Sequence, residues 1–463
     1  MKSFYINCGI IVFALILCAY NFNTGFGEDH DSLRLIYGAT KSVNANHLTA
    51  SRSWGFPLYE IIIYKLLLQE NGILFAKIFS LLFLAASIII FNRILRRINV
   101  PATPALLFGI TFVCNPLIII AGNSLIETSM SLFSILLTIN YGIKIITNPG
   151  KLWHQYIIYG ALCGISTLIR PDNLLYFFAL LMVEMMRTNL NVKMWTAAML
   201  ISVSLGILPY FMLEYPIFHH YPTPARNHFL YLLKNLVCTF GLLNIPLLVF
   251  ILFKMRKSST PINRYTDGTA LYLNVIIYFA ILRWLLLPDE IEYGIIIWPA
   301  VLLLIAQLSR SFTGSIKQLN VWLVAMAICT FLPNLWQVYF IDRIGTANSF
   351  SAGIGPGVFA QERYRREYNS RLLHFKDSVN YLNEKFHLGI DDKTRAFTEN
   401  RNCENCIVIS DLKVRRDSND HKADSAKRKF IFVPEVSESR GRRNLLPYKR
   451  PPTFIDKNLR QIP

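Results

Sequence analysis

The sequence predicts an all-α polytopic membrane protein of about eleven transmembrane helices, with a small C-terminal segment of α/β or partly ordered character. Three observations predict it. Charged residues make up 16% of the 463-residue chain and hydrophobic residues 53%, whereas a soluble globular chain carries about 25% charged residues. Apolar runs of about 20 residues recur along the chain, the length a helix needs to cross a bilayer. The runs are continuous rather than alternating. Only helices or closed barrels satisfy their own backbone in lipid, so continuity selects helices over a barrel.

Taken in order, spans are expected at roughly 5–21, 73–91, 104–121, 126–146, 156–169, 173–187, 194–213, 235–253, 269–287, 293–309 and 319–340. The first run follows Met1-Lys2 directly. No small-x-small cleavage pattern follows it, so it reads as a retained span with a cytoplasmic N-terminus rather than a signal peptide. The two runs flanking Arg170-Pro171-Asp172 are short and read as a broken pair meeting the outer face. Residues 57–70 are apolar but too short and too charged to span, with Glu60, Tyr64, Lys65 and Glu70, and read as a helix lying in the interface.

The net charge is +18. In a soluble protein that would point to nucleic acid. Here its distribution points to topology instead. With the N-terminus inside, the inner loops collect Arg93, Arg96, Arg97, Lys151, Lys193, Lys254, Arg256, Lys257, Arg264, Arg310 and Lys317. The outer loops collect Glu28, Asp29, Asp31, Glu127, Asp172, Glu214, Asp289, Glu290 and Glu292. This split follows the positive-inside rule. It divides the chain into a membrane domain, 1–340, whose first outer loop spans 27–72, and an extracytoplasmic tail, 341–463. The tail carries 24 Lys and Arg against 16 Asp and Glu and contains two strand-like pieces, 406–409 and 430–433. Cys403 and Cys406 form the closest cysteine pair; alone they lack the further ligands of a zinc site, and a local disulfide is the other option.

The loop from Gly27 to Glu60 is the chemically richest stretch. It opens with three carboxylates in four residues, Glu28, Asp29 and Asp31, and later carries Arg52 before Trp54-Gly55-Phe56-Pro57. Adjacent carboxylates can act as a base and as metal ligands, and crowding of like charges raises one pKa, which suits a base. The plain alternative is a solvated acidic turn. Arg52 and Arg170 are expected near the outer interface, where a guanidinium fork matches phosphate oxygens; snorkelling, or a local Arg170–Asp172 contact, is the alternative. Glu127 opens a span, either as a ligand contact or as a helix-terminal acid capped through Ser124. Glu292 and Tyr293 lie in an acidic outer turn that could receive hydroxyls or serve only as a hydrophilic hairpin.

In order and topological side, these features resemble the GT-C class of integral-membrane glycosyltransferases that use polyprenyl-phosphate sugars. That group includes protein O-mannosyltransferases and the aminoarabinose transferases of lipid A. Residues 27–32 fall where the class carries its acidic motif. Arg52 through Glu60 is similar to the R-x-x-G-x-P-L-Y-E pattern of bacterial members, Ser124–Glu127 to the polar start of a span, and Gly160 through Asp172 to a G-x-x-x-G…R-P-[DE] segment. The resemblance covers about residues 1–340. The acidic loop departs from the mannosyltransferase pattern, with Glu28-Asp29 and Asp29-x-Asp31 in place of an adjacent Asp-Glu.

The resemblance implies sugar transfer from a polyprenyl phosphate to an extracytoplasmic glycan, lipid or protein, with inversion, in a bacterial inner membrane and facing the periplasm or exterior. It implies Asp29 as base with Glu28 and Asp31 as helpers or as ligands of a divalent metal, Mg or Mn, Arg52 and Arg170 on the donor phosphate, and Glu127, Glu292 and Tyr293 toward the acceptor. The expected partners are the lipid donor, the acceptor and membrane lipids, and no nucleic acid. The competing class is a multi-pass transporter or flippase. Such proteins show paired repeats and mid-membrane polar residues, whereas the ionisable residues here gather at the outer ends of spans.

Overall fold

The computed structural model describes residues 2–19, 55–67, 72–148, 152–187, 190–213, 239–258, 267–286, 294–310 and 315–332, isolated positions between these, and five strands beyond residue 337. In chain order the helices are α1 (Lys2–Ala19), α2 (Pro57–Leu67), α3 (Gly72–Arg97), α4 (Ala102–Val113), α5 (Pro116–Asn123), α6 (Thr128–Thr147), α7 (Trp153–Ile169), a 3-10 turn (Pro171–Leu174), α8 (Leu175–Met186), α9 (Val192–Gly206), α10 (Leu208–Met212), α11 (Asn244–Ser258), α12 (Gly268–Leu286), α13 (Gly294–Ser309) and α14 (Ile316–Phe331).

Helix falls on every stretch expected to span. Among the described residues, Leu74–Arg97, Thr128–Thr147, Val192–Met212 and Gly268–Leu285 are each long and apolar enough to cross a membrane, and α4 with α5 makes a bent fifth. Tyr5–Ala19, Asn244–Lys254, Gly294–Ser309 and Ile316–Phe331 are shorter apolar helices. Leu82, Leu200, Val249, Phe253 and Val321 point outward, each 63–66% exposed. Large apolar side chains are stable on that surface when the solvent is lipid. The chain is an integral membrane protein.

Local sequence explains the breaks. Helix α3 ends where Asn99 adopts a left-handed φ of 57° and Val100 N–H bonds back to Leu95 O at 3.0 Å, a helix stop closed by Pro101. The single straight span expected at 104–121 is instead two helices bent by 65°. Pro116 has no N–H to continue the ladder, and Asn115 caps the new helix by accepting from Leu117 N–H at 2.9 Å. The Asn115 amide also donates to Thr239 O at 2.7 Å, which fixes the bend to the chain ahead of α11.

Small residues set the closest helix pair, α7 against α9. A Cβ on Gly160 would lie 2.3 Å from Ala198 O, and one on Gly164 would lie 3.0 Å from Ser202 O. The Gly160-x-x-x-Gly164 spacing permits this backbone approach, as in membrane helix pairs generally. Beneath this pair, the Glu184 carboxylate of α8 accepts from Tyr156 Oη and from Trp195 Nε1, both at 2.7 Å.

A second apolar cluster seats α2 on one end of the bundle: Phe56, Tyr59, Ile63 and Tyr64 pack with Leu125, Ile126, Met130 and Ile169. Helix α14 ends at Phe331, short of the expected 340, and a strand starts at Val338. The strands are β1 (Val338–Arg343) antiparallel to β2 (Phe350–Ile354), and β3 (Cys406–Ile409) between antiparallel β4 (Val414–Arg416) and parallel β5 (Lys429–Phe432). β3 and β5 coincide with the two strand-like pieces of the sequence.

Candidate functional site

The start of α6, the end of α7, the 3-10 turn and the last turns of α12 meet at one end of the bundle. There the chain buries alternating charges. Glu127, at the N-terminal boundary of α6, is fully buried, and Arg170, the residue that ends α7, is 7% exposed. Arg170 Nη1 lies 3.5 Å from Glu127 Oε1, and its Nε lies 3.3 Å from Asp172 Oδ1. Asp172 also pairs with Arg283 of α12. Arg283, only 2% exposed, donates from Nη1 to Tyr176 Oη at 2.9 Å and stacks over the Tyr176 ring at 5.5 Å.

Arginine keeps its proton in any protein environment, so a buried guanidinium must be met by carboxylates. The run Glu127–Arg170–Asp172–Arg283 does this with two acids and two bases. Pro171 forces Arg170 into an extended conformation, φ −155° and ψ 116°, which ends α7 and turns the chain into the 3-10 turn. Asn173 then closes that turn. Its amide donates to Ser131 Oγ at 2.9 Å and to Ser166 O at 3.1 Å, joining α6 to α7.

Helix α2 lies beside this cluster. Tyr59 donates to Leu125 O, two residues before Glu127. Glu60, fully buried, accepts from Tyr215 Oη at 2.6 Å through Oε2, and from Ser51 N at 3.1 Å and Ser51 Oγ at 2.5 Å through Oε1. Burial, and then the Glu60 carboxylate, push the Tyr215 phenol well above its ordinary pKa, so it donates at any working pH. Gly55 makes room for the Tyr215 ring. Its φ is +58°, and a Cβ there would lie 1.8 Å from Tyr215 Cδ1. Tyr210 stands edge-on to Tyr215 and donates to Thr167 O at 3.2 Å, one turn before Arg170.

Of the residues singled out from sequence, Arg170 and Glu127 are brought together. Glu127 makes no side-chain cap bond to its own helix; Ser124 Oγ accepts from Ile126 N–H at 3.3 Å instead. Glu28, Asp29, Asp31, Arg52, Glu292 and Tyr293 lie outside the described residues, as does Cys403. Among the described residues, no three His, Cys, Asp or Glu side chains gather as a metal site.

Sequence reasoning left three members of the cluster unassigned. In sequence Asp172 stands in the Arg-Pro-Asp motif and offers only a local contact to Arg170. Glu60 closes the Pro-Leu-Tyr-Glu motif and reads as one more charge on an interfacial helix. Arg283 carried a usable signal: an ionisable residue inside an apolar span is a site candidate by default.

Fold and cluster together define a polytopic helical membrane protein with a buried charged centre at one end of its bundle. No protein-family model matches the chain, and no curated protein matches it. Solved structures do. ArnT from Cupriavidus metallidurans bound to undecaprenyl phosphate superposes with a TM-score of 0.51 at 13% identity, over 81% of this chain and 72% of that one. The same protein in its apo state gives 0.50 at 13% identity, over 81% and 71%. The chain therefore has an ArnT-like fold.

Proposed function

We propose that the chain is a membrane glycosyltransferase that moves a sugar from a polyprenyl-phosphate donor to an extracytoplasmic acceptor. One observation carries the reading. An ArnT-like bundle buries the Glu127–Arg170–Asp172–Arg283 run at a single end. That is also the end to which the first outer loop returns through Ser51 and α2. The chain crosses the bilayer about eleven times, with this end on the periplasmic or exterior face of a bacterial inner membrane, as the loop charges support.

In the reaction the acceptor hydroxyl attacks the anomeric carbon from the face opposite the phosphate. The new C–O bond forms as the bond to the phosphate oxygen breaks, so configuration inverts. The acceptor proton passes to Asp29, with Glu28 and Asp31 beside it. The lipid phosphate leaves with the bonding electrons, and Arg52 and Arg170 meet its growing charge. Glu127 and Asp172 fix the Arg170 guanidinium beforehand, so little reorganisation is needed when that charge develops. Glu127, Glu292 and Tyr293 face the acceptor. A requirement for Mg or Mn would rest on Glu28 and Asp31 and is read by chelation.

The test is binding of undecaprenyl phosphate to the purified protein in nanodiscs. Saturable binding is expected, lost in Arg170→Ala and weakened in Arg170→Lys, which keeps the charge but not the fork. A wild-type protein that does not bind the lipid phosphate overturns the reading.

A further inference from the structure

The end of the bundle away from the charged centre carries a second group of charges, and these are all cations. Arg93 and Arg97 stand one turn apart on one face of α3. Lys144 comes from the last turn of α6, about 25 Å along that helix from Glu127 at 1.5 Å per residue. The Arg97 guanidinium is tied across the helix pair, its Nη1 donating to Asn140 O. The Lys144 ammonium lies over the Tyr141 ring, 5.0 Å from its centre. Arg93 is exposed, and Arg97, Tyr141 and Lys144 are half-buried. Among the described residues, no carboxylate pairs with any of the three cations. Topology alone asks for basic residues at span ends. It does not ask for three at one seam, one of them tied to the backbone of the neighbouring helix and another over an aromatic ring.

Apolar faces lead to these cations on both helices. In α6, residues 128–132 are buried, and the partly exposed positions that follow are Phe133, Leu137, Tyr141 and Lys144, one stripe at helical spacing. In α3, the exposed Leu82 and Ile89 lie in line with Arg93. Phe83 meets Phe133 edge-on, with ring centroids 5.4 Å apart, and closes the seam at its far end. From Leu82 to Arg93 and from Phe133 to Lys144 is eleven residues on each helix, a rise of about 16 Å. That is half of a hydrocarbon core about 30 Å thick, the depth of a single leaflet.

We propose that the seam between α3 and α6 is a binding site for an anionic glycerophospholipid, in the leaflet away from the charged centre. Arg93, Arg97 and Lys144 hold the headgroup phosphate, and the acyl chains lie along the Leu82–Ile89 and Phe133–Leu137 faces. A phosphatidylcholine headgroup brings its own ammonium, which three cations repel; phosphatidylglycerol brings none, so the seam selects for net negative charge. The Arg97 guanidinium is already ordered by Asn140, so the lipid meets a fixed donor.

The test is native mass spectrometry of the delipidated full chain in detergent, titrated with phosphatidylglycerol or phosphatidylcholine. The wild type is expected to retain phosphatidylglycerol in preference to phosphatidylcholine. Arg93→Gln, Arg97→Gln and Lys144→Gln are each expected to weaken phosphatidylglycerol retention about fivefold, and the triple variant about 100-fold. Lys193→Gln removes an exposed cation at the start of α9, at the same end of the bundle, and is expected to change retention by less than about twofold. Equal retention of the two lipids, or a loss in Lys193→Gln as large as in Arg97→Gln, marks diffuse attraction and overturns the proposal. Displacement of the bound phosphatidylglycerol by equimolar undecaprenyl phosphate marks a site for lipid phosphates at large and overturns the glycerophospholipid assignment. Should the triple variant or Arg97→Gln fail to fold, Arg93→Gln, on an exposed side chain, carries the comparison with Lys193→Gln.

Discussion

Replacing Arg283 by Met tests whether the buried charge run is an energetic unit. Arg283 is 2% exposed, is paired with Asp172, and donates to Tyr176 Oη at 2.9 Å. Removing one partner of a fully buried ion pair costs about 3–5 kcal/mol, because the other charge stays behind. Two features lower the expected value here. The Asp172 side chain is 21% exposed and keeps Arg170 at 3.3 Å. The charge-assisted bonds lost are each worth about 1.5–3 kcal/mol. A destabilisation of about 2–3 kcal/mol follows, or roughly 30- to 160-fold in the unfolding equilibrium. The assay is reversible SDS unfolding in mixed micelles for Arg283→Met, Asp172→Asn and the double variant. The pair is expected to couple by at least about 1.5 kcal/mol, the double variant losing less than the sum. Additivity within about 0.5 kcal/mol would refute the reasoning, since independent sites behave that way.

Three further outcomes are expected. Gly160→Val drives a branched side chain into the Ala198 carbonyl, 2.3 Å from where a Cβ would sit. Backbone cannot move aside as a side chain can, so it should cost about 1–3 kcal/mol or more and reduce the folded fraction in size-exclusion profiles. Tyr156→Phe removes a 2.7 Å bond to the Glu184 carboxylate and should cost about 1.5–3 kcal/mol in the same unfolding assay, without changing undecaprenyl phosphate affinity, because it lies away from the Glu127–Arg170 end. Asp29→Asn should lower sugar transfer by about 10²- to 10⁴-fold while leaving undecaprenyl phosphate binding within about twofold; equal loss of both would move Asp29 from the proton to the donor.

The positions of the helices were legible because lipid imposes a one-dimensional rule. A run long and apolar enough to cross must satisfy its own backbone, so 128–147, 268–285 and the rest declare themselves by composition. Of two breaks caused by proline, the one at Arg170-Pro171 is legible beside its charged neighbours, and the one at Asn115-Pro116 is not, because apolar residues on both sides mask the bend. Arg170 and Glu127 were each visible as polar residues at span ends, but nothing in their spacing said that they face one another across 43 positions of chain.

By itself, then, the sequence determined the solvent this protein folds in, the places where helix must form, and which residue types stand at the ends of the spans. Only the tertiary structure decided how those ends converge. It paired Arg170 with Glu127 and Asp172, brought Arg283 out of an apolar run to share Asp172, and gave Glu60 to Ser51 and Tyr215 rather than to water. The reason is that burying a charge is unfavourable until its partner arrives, and the partner here lies on a different helix. Composition reveals that a charge is present, while the packing of the bundle determines what it meets.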